Sequence, residues 1–137
     1  MKTLNIGCNL GDRYGQLARV RAVLSHSIEI YAVSSTIETA PLTPPNAPKS
    51  WQYRPFLNQA VAFHTQLNPH ALLKVIKRVE KQLGRKNLRN RWAPREMDID
   101  IITWDDRVVK SAALTIPHIG LQNRIFFQQP LAELLRA

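Results

Sequence analysis

The sequence predicts an α+β fold of the ferredoxin-like βαββαβ kind: an antiparallel sheet with helices packed on it, extended by C-terminal elements towards an α/β/α sandwich. Two observations carry this. Four short segments alternate or run apolar at strand length, and two segments show apolar residues at helical spacing. Their order is strand, helix, strand, strand, helix, strand, which is the split βαβ arrangement.

Thr3 to Cys8 reads as a strand running into a turn between Gly7 and Gly11. Asp12 then caps a helix whose apolar stripe includes Leu17, Val20 and Leu24. Ile28 to Ser35 alternates as a second strand, with Ile28, Ile30 and Ala32 expected on one face and Tyr31 and Val33 on the other. From Thr39 to Pro55 five prolines in seventeen residues predict a long loop, either a binding lid or a surface excursion. Phe56 to Thr65 is the third strand, with Phe56, Asn58, Ala60 and Ala62 sharing a face. Asn68 as N-cap and Pro69 at the first position open a second helix through Leu72, Ile76, Val79 and Leu83, which Gly84 ends. Asp98 to Trp104 is the fourth strand, turned at Asp105-Asp106 into Arg107 to Val109. An ambiguous helical stretch around Leu121 to Phe127 and a short end follow, and this final segment is expected to cover part of the sheet's other face.

The 137 residues, 45% of them hydrophobic, suit one domain spanning 1–137. Nineteen Lys and Arg against ten Asp and Glu give a net charge of +9, which calls for an anionic partner without choosing among nucleic acid, membrane surface and phosphorylated small molecules. The single cysteine, Cys8, excludes an intrachain disulfide and points to a reducing, cytoplasmic setting. The N-terminal residues lack the pattern of a secretory signal, and no apolar window reaches membrane-spanning length.

The stretch richest in chemistry is Arg91 to Ile102. On a strand, Asp98 and Asp100 point to one side and Met97, Ile99 and Ile101 to the other. Two carboxylates on one face resist shared burial unless a cation balances them, and hard oxygen donors favour Mg²⁺ completed by water and substrate phosphates. An Asp-x-Asp pair alone would also fit two solvated carboxylates near a hairpin end. Arg91 and Arg95 just upstream strengthen the functional reading, because guanidinium groups bind phosphate oxygens bidentately. Nine Lys or Arg lie between Lys74 and Arg95, with Glu80 the one acidic residue in that window. Lys74, Arg78 and Lys81 fall on a solvated helix face, whereas Arg85, Lys86, Arg89, Arg91 and Arg95 occupy a loop suited to a polyphosphate. The competing reading is a basic RNA-binding module, with Trp92 as a stacking surface. No Gly-x-x-x-x-Gly-Lys-Ser/Thr loop is present, so metal and arginine would have to hold the phosphates. Phe56 and Asn58, two apart on one strand face, pair an aromatic plane with an amide, a combination able to stack and read a flat heterocycle.

These residues resemble the 6-hydroxymethyl-7,8-dihydropterin pyrophosphokinases of folate biosynthesis. Arg91-x-Ala93-Pro94-Arg95-x-x-Asp98-Ile99-Asp100-Ile101-Ile102 matches that family's signature at each fixed position. Gly7-Cys8-Asn9-Leu10-Gly11-Asp12 is similar to its N-terminal turn, with Cys8 in place of the usual Ser. Phe56-Leu57-Asn58, Thr115-Ile116-Pro117-His118 and Asn123-Arg124-x-Phe126 are similar to further segments of the family.

The resemblance implies transfer of pyrophosphate from ATP to the pterin's hydroxymethyl group, with two Mg²⁺ ions held by Asp98 and Asp100. It implies a pterin sandwiched by Phe56 and Phe126, read by Asn58 and the backbone from Thr39 to Leu42, and covered by Trp92. Arg85, Arg91, Thr115, His118 and Arg124 would contact the nucleotide, and Arg85 and Arg95 would act in catalysis by holding phosphates. Leu42 to Tyr53 and Arg85 to Arg95 would be closing loops. Asn87, Ala113 and Ile119 stand where relatives can carry basic or aromatic side chains, so a member with weakened transfer is a third reading. Neither nucleic acid nor membrane is an expected partner. The chain stops soon after Pro130-Leu131-x-Glu133, and fusion to or association with dihydropteroate synthase is a known family arrangement.

Overall fold

The N-terminal segment, Lys2–Cys8, forms a strand (β1) at the centre of a sheet, and its alternation sorts the molecule into two sides. The computed structural model describes residues 1–9, 11–40, 46, 55–84 and 97–136. After β1 come α1 (Arg13–Leu24), β2 (Glu29–Val33), β3 (Ile37–Thr39), β4 (Phe56–His64), α2 (Pro69–Leu83), β5 (Met97–Trp104), β6 (Val109–Lys110), β7 (Thr115–Ile116) and α3 (Ile125–Arg136). The main sheet runs β2-β4-β1-β5, with β3 also paired to β4 and every pairing antiparallel. This is the ferredoxin-like order, with one edge strand split into β2 and β3.

The predicted caps are in place. Asp12 accepts a hydrogen bond from the Gly15 N–H at 3.0 Å, and Asn68 accepts from Ala71 N–H at 2.9 Å just ahead of Pro69. Each satisfies an orphan donor of a first turn. Gly11, at φ 65, supplies the left-handed residue that the turn after β1 needs.

Leu4, Ile6 and Cys8 of β1, Leu57, Val61 and Phe63 of β4, and Ile99 and Ile101 of β5 form one buried layer beneath Leu17, Val20 and Leu24 of α1 and Leu72, Ile76 and Val79 of α2. The opposite face is covered in part by α3. Leu134 packs on Ala60 and Ala62, whose small side chains let a helix approach the sheet, and Phe127 and Leu131 pack on Ile102. The expectation that the final segment covers this second face therefore holds.

Several expectations need correction. Ile30 pairs with Phe63 but Ala32 with Ala62, so a bulge at Tyr31 puts Ile30 and Ala32 on opposite faces instead of one. Asp105 does turn the chain, at φ 53, but the next strand is Val109–Lys110 and it pairs with Thr115–Ile116 rather than with β5. The C-terminal helix starts at Ile125, later than the stretch expected, and runs on to Arg136 in place of a short end. Ile37–Thr39 adds a strand at the mouth of the proline-rich segment, most of which lies outside the described residues.

Candidate active site

One end of the α3-facing side of the sheet gathers the polar residues that the core excludes. Gly7 of β1 lies opposite Asn58 of β4 on one side and Asp98 of β5 on the other, and Asn5 lies opposite Asp100. Asn58 and Asp98 are thus separated by a single strand, about 10 Å at two interstrand spacings. An amide suited to reading a heterocycle edge and a carboxylate pair suited to a cation occupy the same surface.

Gly7 matters here for space. A Cβ at this position would come 3.1 Å from Asn58 Oδ1 and 3.2 Å from Phe56 Cδ1, so the Phe56 ring and the Asn58 amide close in over bare backbone. Asn58, 3% exposed, donates from Nδ2 to Thr39 Oγ1 at 2.9 Å. Thr39, Phe56 and Asn58 are thus neighbours, through the β3–β4 pairing and the Thr39 side chain.

Asp98 and Asp100 are half-buried and alternate with the buried Met97, Ile99 and Ile101, as expected of a strand with one dry face. β5 is an edge strand, and its outward Ile99 N–H donates to Glu80 Oε2 of α2 at 3.0 Å. Glu80 is 2% exposed and also pairs with Lys77 at 3.8 Å. A buried carboxylate thereby clamps the backbone between the two aspartates, a contact that the sequence reading missed because a helix residue and a strand amide nineteen positions apart carry no local signal. Burial, with a smaller contribution from the charge of Asp98, pushes the Cys8 thiol up to about 12, so it remains protonated.

On the outer side of β5, the His118 N–H donates to the Ile102 carbonyl at 2.9 Å, hooking the segment after β7 onto the strand. The Gly120 N–H donates to His118 Nδ1 at 2.9 Å, which makes Nδ1 the lone-pair nitrogen and leaves Nε2 to carry the ring proton. Nε2 faces Asp100 Oδ1 at 3.5 Å. His118 also packs edge-on against Phe127 at 4.7 Å. Phe126 meets Phe127 in the same manner, and the exposed Arg124 guanidinium lies 5.9 Å from the Phe126 ring centre and 5.8 Å from that of Phe127. A Cβ on Gly120 would sit 2.8 Å from Arg124 Cδ, so this glycine makes room for the arginine stem.

A family model described as 7,8-dihydro-6-hydroxymethylpterin-pyrophosphokinase matches residues 3–136. The chain belongs to that family. It is similar to the 2-amino-4-hydroxy-6-hydroxymethyldihydropteridine pyrophosphokinase of Aquifex aeolicus (strain VF5), 37% identical over 134 residues, covering 96% of this chain and 78% of that protein. The enzyme of the same name from Bacillus subtilis (strain 168) is 34% identical over 131 residues, covering 94% of this chain and 74% of its own. A mitochondrial folate synthesis bifunctional protein of Pisum sativum is 37% identical over 131 residues, covering 95% of this chain and 24% of that protein.

Membership in this pyrophosphokinase family gives the clustered residues a common context. Asp100 and His118 are in contact, as are Asn58 and Thr39, and Arg124 flanks Phe126. Phe56 and Phe126 share no ring contact. Thr115 lies half-buried on β7, which runs beside β5. Leu42, Arg85, Arg91, Trp92 and Arg95 lie outside the described residues. Among the described residues no three His, Cys, Asp or Glu side chains form a metal cage. Two half-buried carboxylates on one strand face fit Mg²⁺ nonetheless, because that ion keeps waters and takes phosphate oxygens as ligands. Among the described residues no helix is long and apolar enough to cross a membrane.

Proposed function

We propose that this chain transfers pyrophosphate from ATP to the hydroxymethyl group of 6-hydroxymethyl-7,8-dihydropterin, giving the pterin diphosphate and AMP, as one catalytic domain over residues 1–137. The observation that carries the reading is the register of β1, which sets the Asn58 amide and the Asp98 carboxylate on either side of Gly7 on the same face. A flat donor-acceptor ring at Asn58 and a triphosphate at the aspartates would meet across one strand.

Phe56 stacks the pterin on the side of β4, and Phe126, at the start of α3, closes the other side. Asn58 offers an amide to its pyrimidine edge, with Thr39 and the backbone to Leu42 continuing the contact and Trp92 covering it. Asp98 and Asp100 would hold Mg²⁺, two ions on this reading, and the metal would supply charge neutralisation at the triphosphate. His118, its backbone anchored to Ile102 and its ring oriented by Gly120, presents Nε2–H to Asp100 and the adjoining phosphates. Arg85, Arg91, Thr115 and Arg124 bind the nucleotide, and Arg85 and Arg95 neutralise charge as the hydroxymethyl oxygen attacks the β-phosphorus in line. No side chain in this set is placed as an obligatory base, so positioning and electrostatics supply the rate. A single cysteine, able to form no intrachain disulfide, suits a cytoplasmic enzyme. The bifunctional relatives support association with another folate enzyme, for which dihydropteroate synthase is our choice.

The test is AMP formation from ATP, Mg²⁺ and the hydroxymethyl-dihydropterin. Asp98→Ala or Asp100→Ala should lower turnover by at least ~10²-fold. Wild-type turnover in either variant removes the metal platform, and salt-sensitive RNA binding without AMP formation returns the RNA-binding reading.

A further inference from the structure

The strand that carries Gly7 also carries a buried amide. Asn5 lies two residues before Gly7 and therefore on the same face of β1, while Leu4 and Ile6, both fully buried, point into the helix-covered core. Asn5 is 3% exposed, and its pairing partners are Ala60 on β4 and Asp100 on β5. Its Nδ2 donates towards Asn58 Oδ1 at 3.5 Å, whereas its own Oδ1 is buried without a hydrogen-bond partner. Burying an amide in this way is costly, and an apolar residue would avoid the cost.

The hydrogen-bonding capacity of Asn58 shows what the amide can do. Asn58 has two Nδ2 hydrogens and two Oδ1 lone pairs. One hydrogen is directed at Thr39 Oγ1, but a hydroxyl donates as readily as it accepts, so Thr39 suits either orientation of the Asn58 amide. Asn5 Nδ2 can only donate. With Asn5 Nδ2 turned to β4, as it stands, the matching orientation of Asn58 is the one in which Oδ1 faces β1 and Nδ2 faces Thr39.

We propose that Asn5 is a positioning residue: it locks the Asn58 amide so that one donor and one acceptor stay side by side for the complementary edge of a planar heterocycle. The inference rests on the pterin reading above for the identity of that heterocycle. The orientation of Asn58 itself does not depend on it.

The test uses the whole chain, ¹⁵N-labelled, as wild type, Asn5→Ala and Asn5→Ser, the last with a hydroxyl too short to reach Asn58 should the alanine variant not fold. In the folded variants the Asn58 side-chain amide resonances should shift and exchange faster with solvent. The dissociation constant for hydroxymethyl-dihydropterin should rise about tenfold while KM for ATP stays within about twofold. Asn58 resonances that superimpose on wild type overturn the proposal, as does an equal loss of pterin and ATP affinity. If wild type forms no AMP yet the Asn58 resonances respond to Asn5→Ala, the locking stands and the pyrophosphokinase reading is what fails.

Discussion

Asp100 and His118 face each other, Oδ1 to Nε2, at 3.5 Å; the Gly120 N–H orients the imidazole at Nδ1, and the His118 backbone N–H anchors the residue to the Ile102 carbonyl. On the proposed reading of Asp100 as a magnesium ligand, the ring braces its carboxylate as a neighbouring residue tunes a metal-binding group. His118→Ala should therefore lower AMP formation by about 10–100-fold and raise the Mg²⁺ concentration needed for half-maximal rate. A titration of rate against Mg²⁺ checks this, and an unchanged Mg²⁺ requirement contradicts it.

Gly7→Ala tests the close approach of Phe56 and Asn58. The new methyl would stand 3.1 Å from Asn58 Oδ1 and 3.2 Å from Phe56 Cδ1, so both must retreat by a few tenths of an ångström. Misplacement by 1 Å costs on the order of 10²-fold, so a loss of about tenfold in kcat/KM for the pterin is expected. KM for ATP should hardly move. A variant with unaltered pterin kinetics would show that the ring and amide do not bind substrate.

Glu80 caps the outward edge of β5 through the Ile99 N–H. Glu80→Ala should destabilise the chain by about 1–3 kcal/mol, the cost of leaving a buried donor unmet, whereas Glu80→Gln keeps an acceptor and should cost less. Urea denaturation of both variants decides the matter. Equal losses would mean that the charge, and not the hydrogen bond to β5, is what counts.

Glu133 accepts hydrogen bonds from both the Ser35 hydroxyl and the Ser35 N–H, and these bonds, the hydroxyl's first, hold its carboxyl below the usual glutamate range. The pair tethers α3 to the segment between β2 and β3. A depressed native pKa stabilises the fold above the unfolded value, about 4.3, and that contribution fades as pH falls through the native value. Ser35→Ala should lower Tm at pH 7, and the gap from wild type should close on acidification below about pH 4. A Tm difference independent of pH would show that the tether does not involve the ionised carboxylate.

The sequence was informative wherever a signal is local. The Asn68-Pro69 start of α2, the alternation of Asp98 and Asp100 with Ile99 and Ile101, and the shared face of Phe56 and Asn58 all follow from periods of 3.6 and 2 within one segment. What stayed hidden depends on a partner. The bulge at Tyr31 exists only in the pairing with β4, so alternation in β2 alone misplaced Ala32. The α3 segment contains Pro130 and lies beyond an irregular stretch, which blurred its start. Asn5 could have been noticed as a polar residue between Leu4 and Ile6, but its meaning appears only when Asn58 and Asp100 arrive on the neighbouring strands.

On β1, Leu4, Ile6 and Cys8 face the helix-covered core while Asn5 and Gly7 face the candidate site, alternating from Leu4 to Cys8. A substitution on one face of β1 therefore acts first on the layer that face meets, the helix-covered core or the candidate site. A one-residue insertion or deletion within this strand strikes both, since it would turn the oily row outward and the working row inward at a stroke.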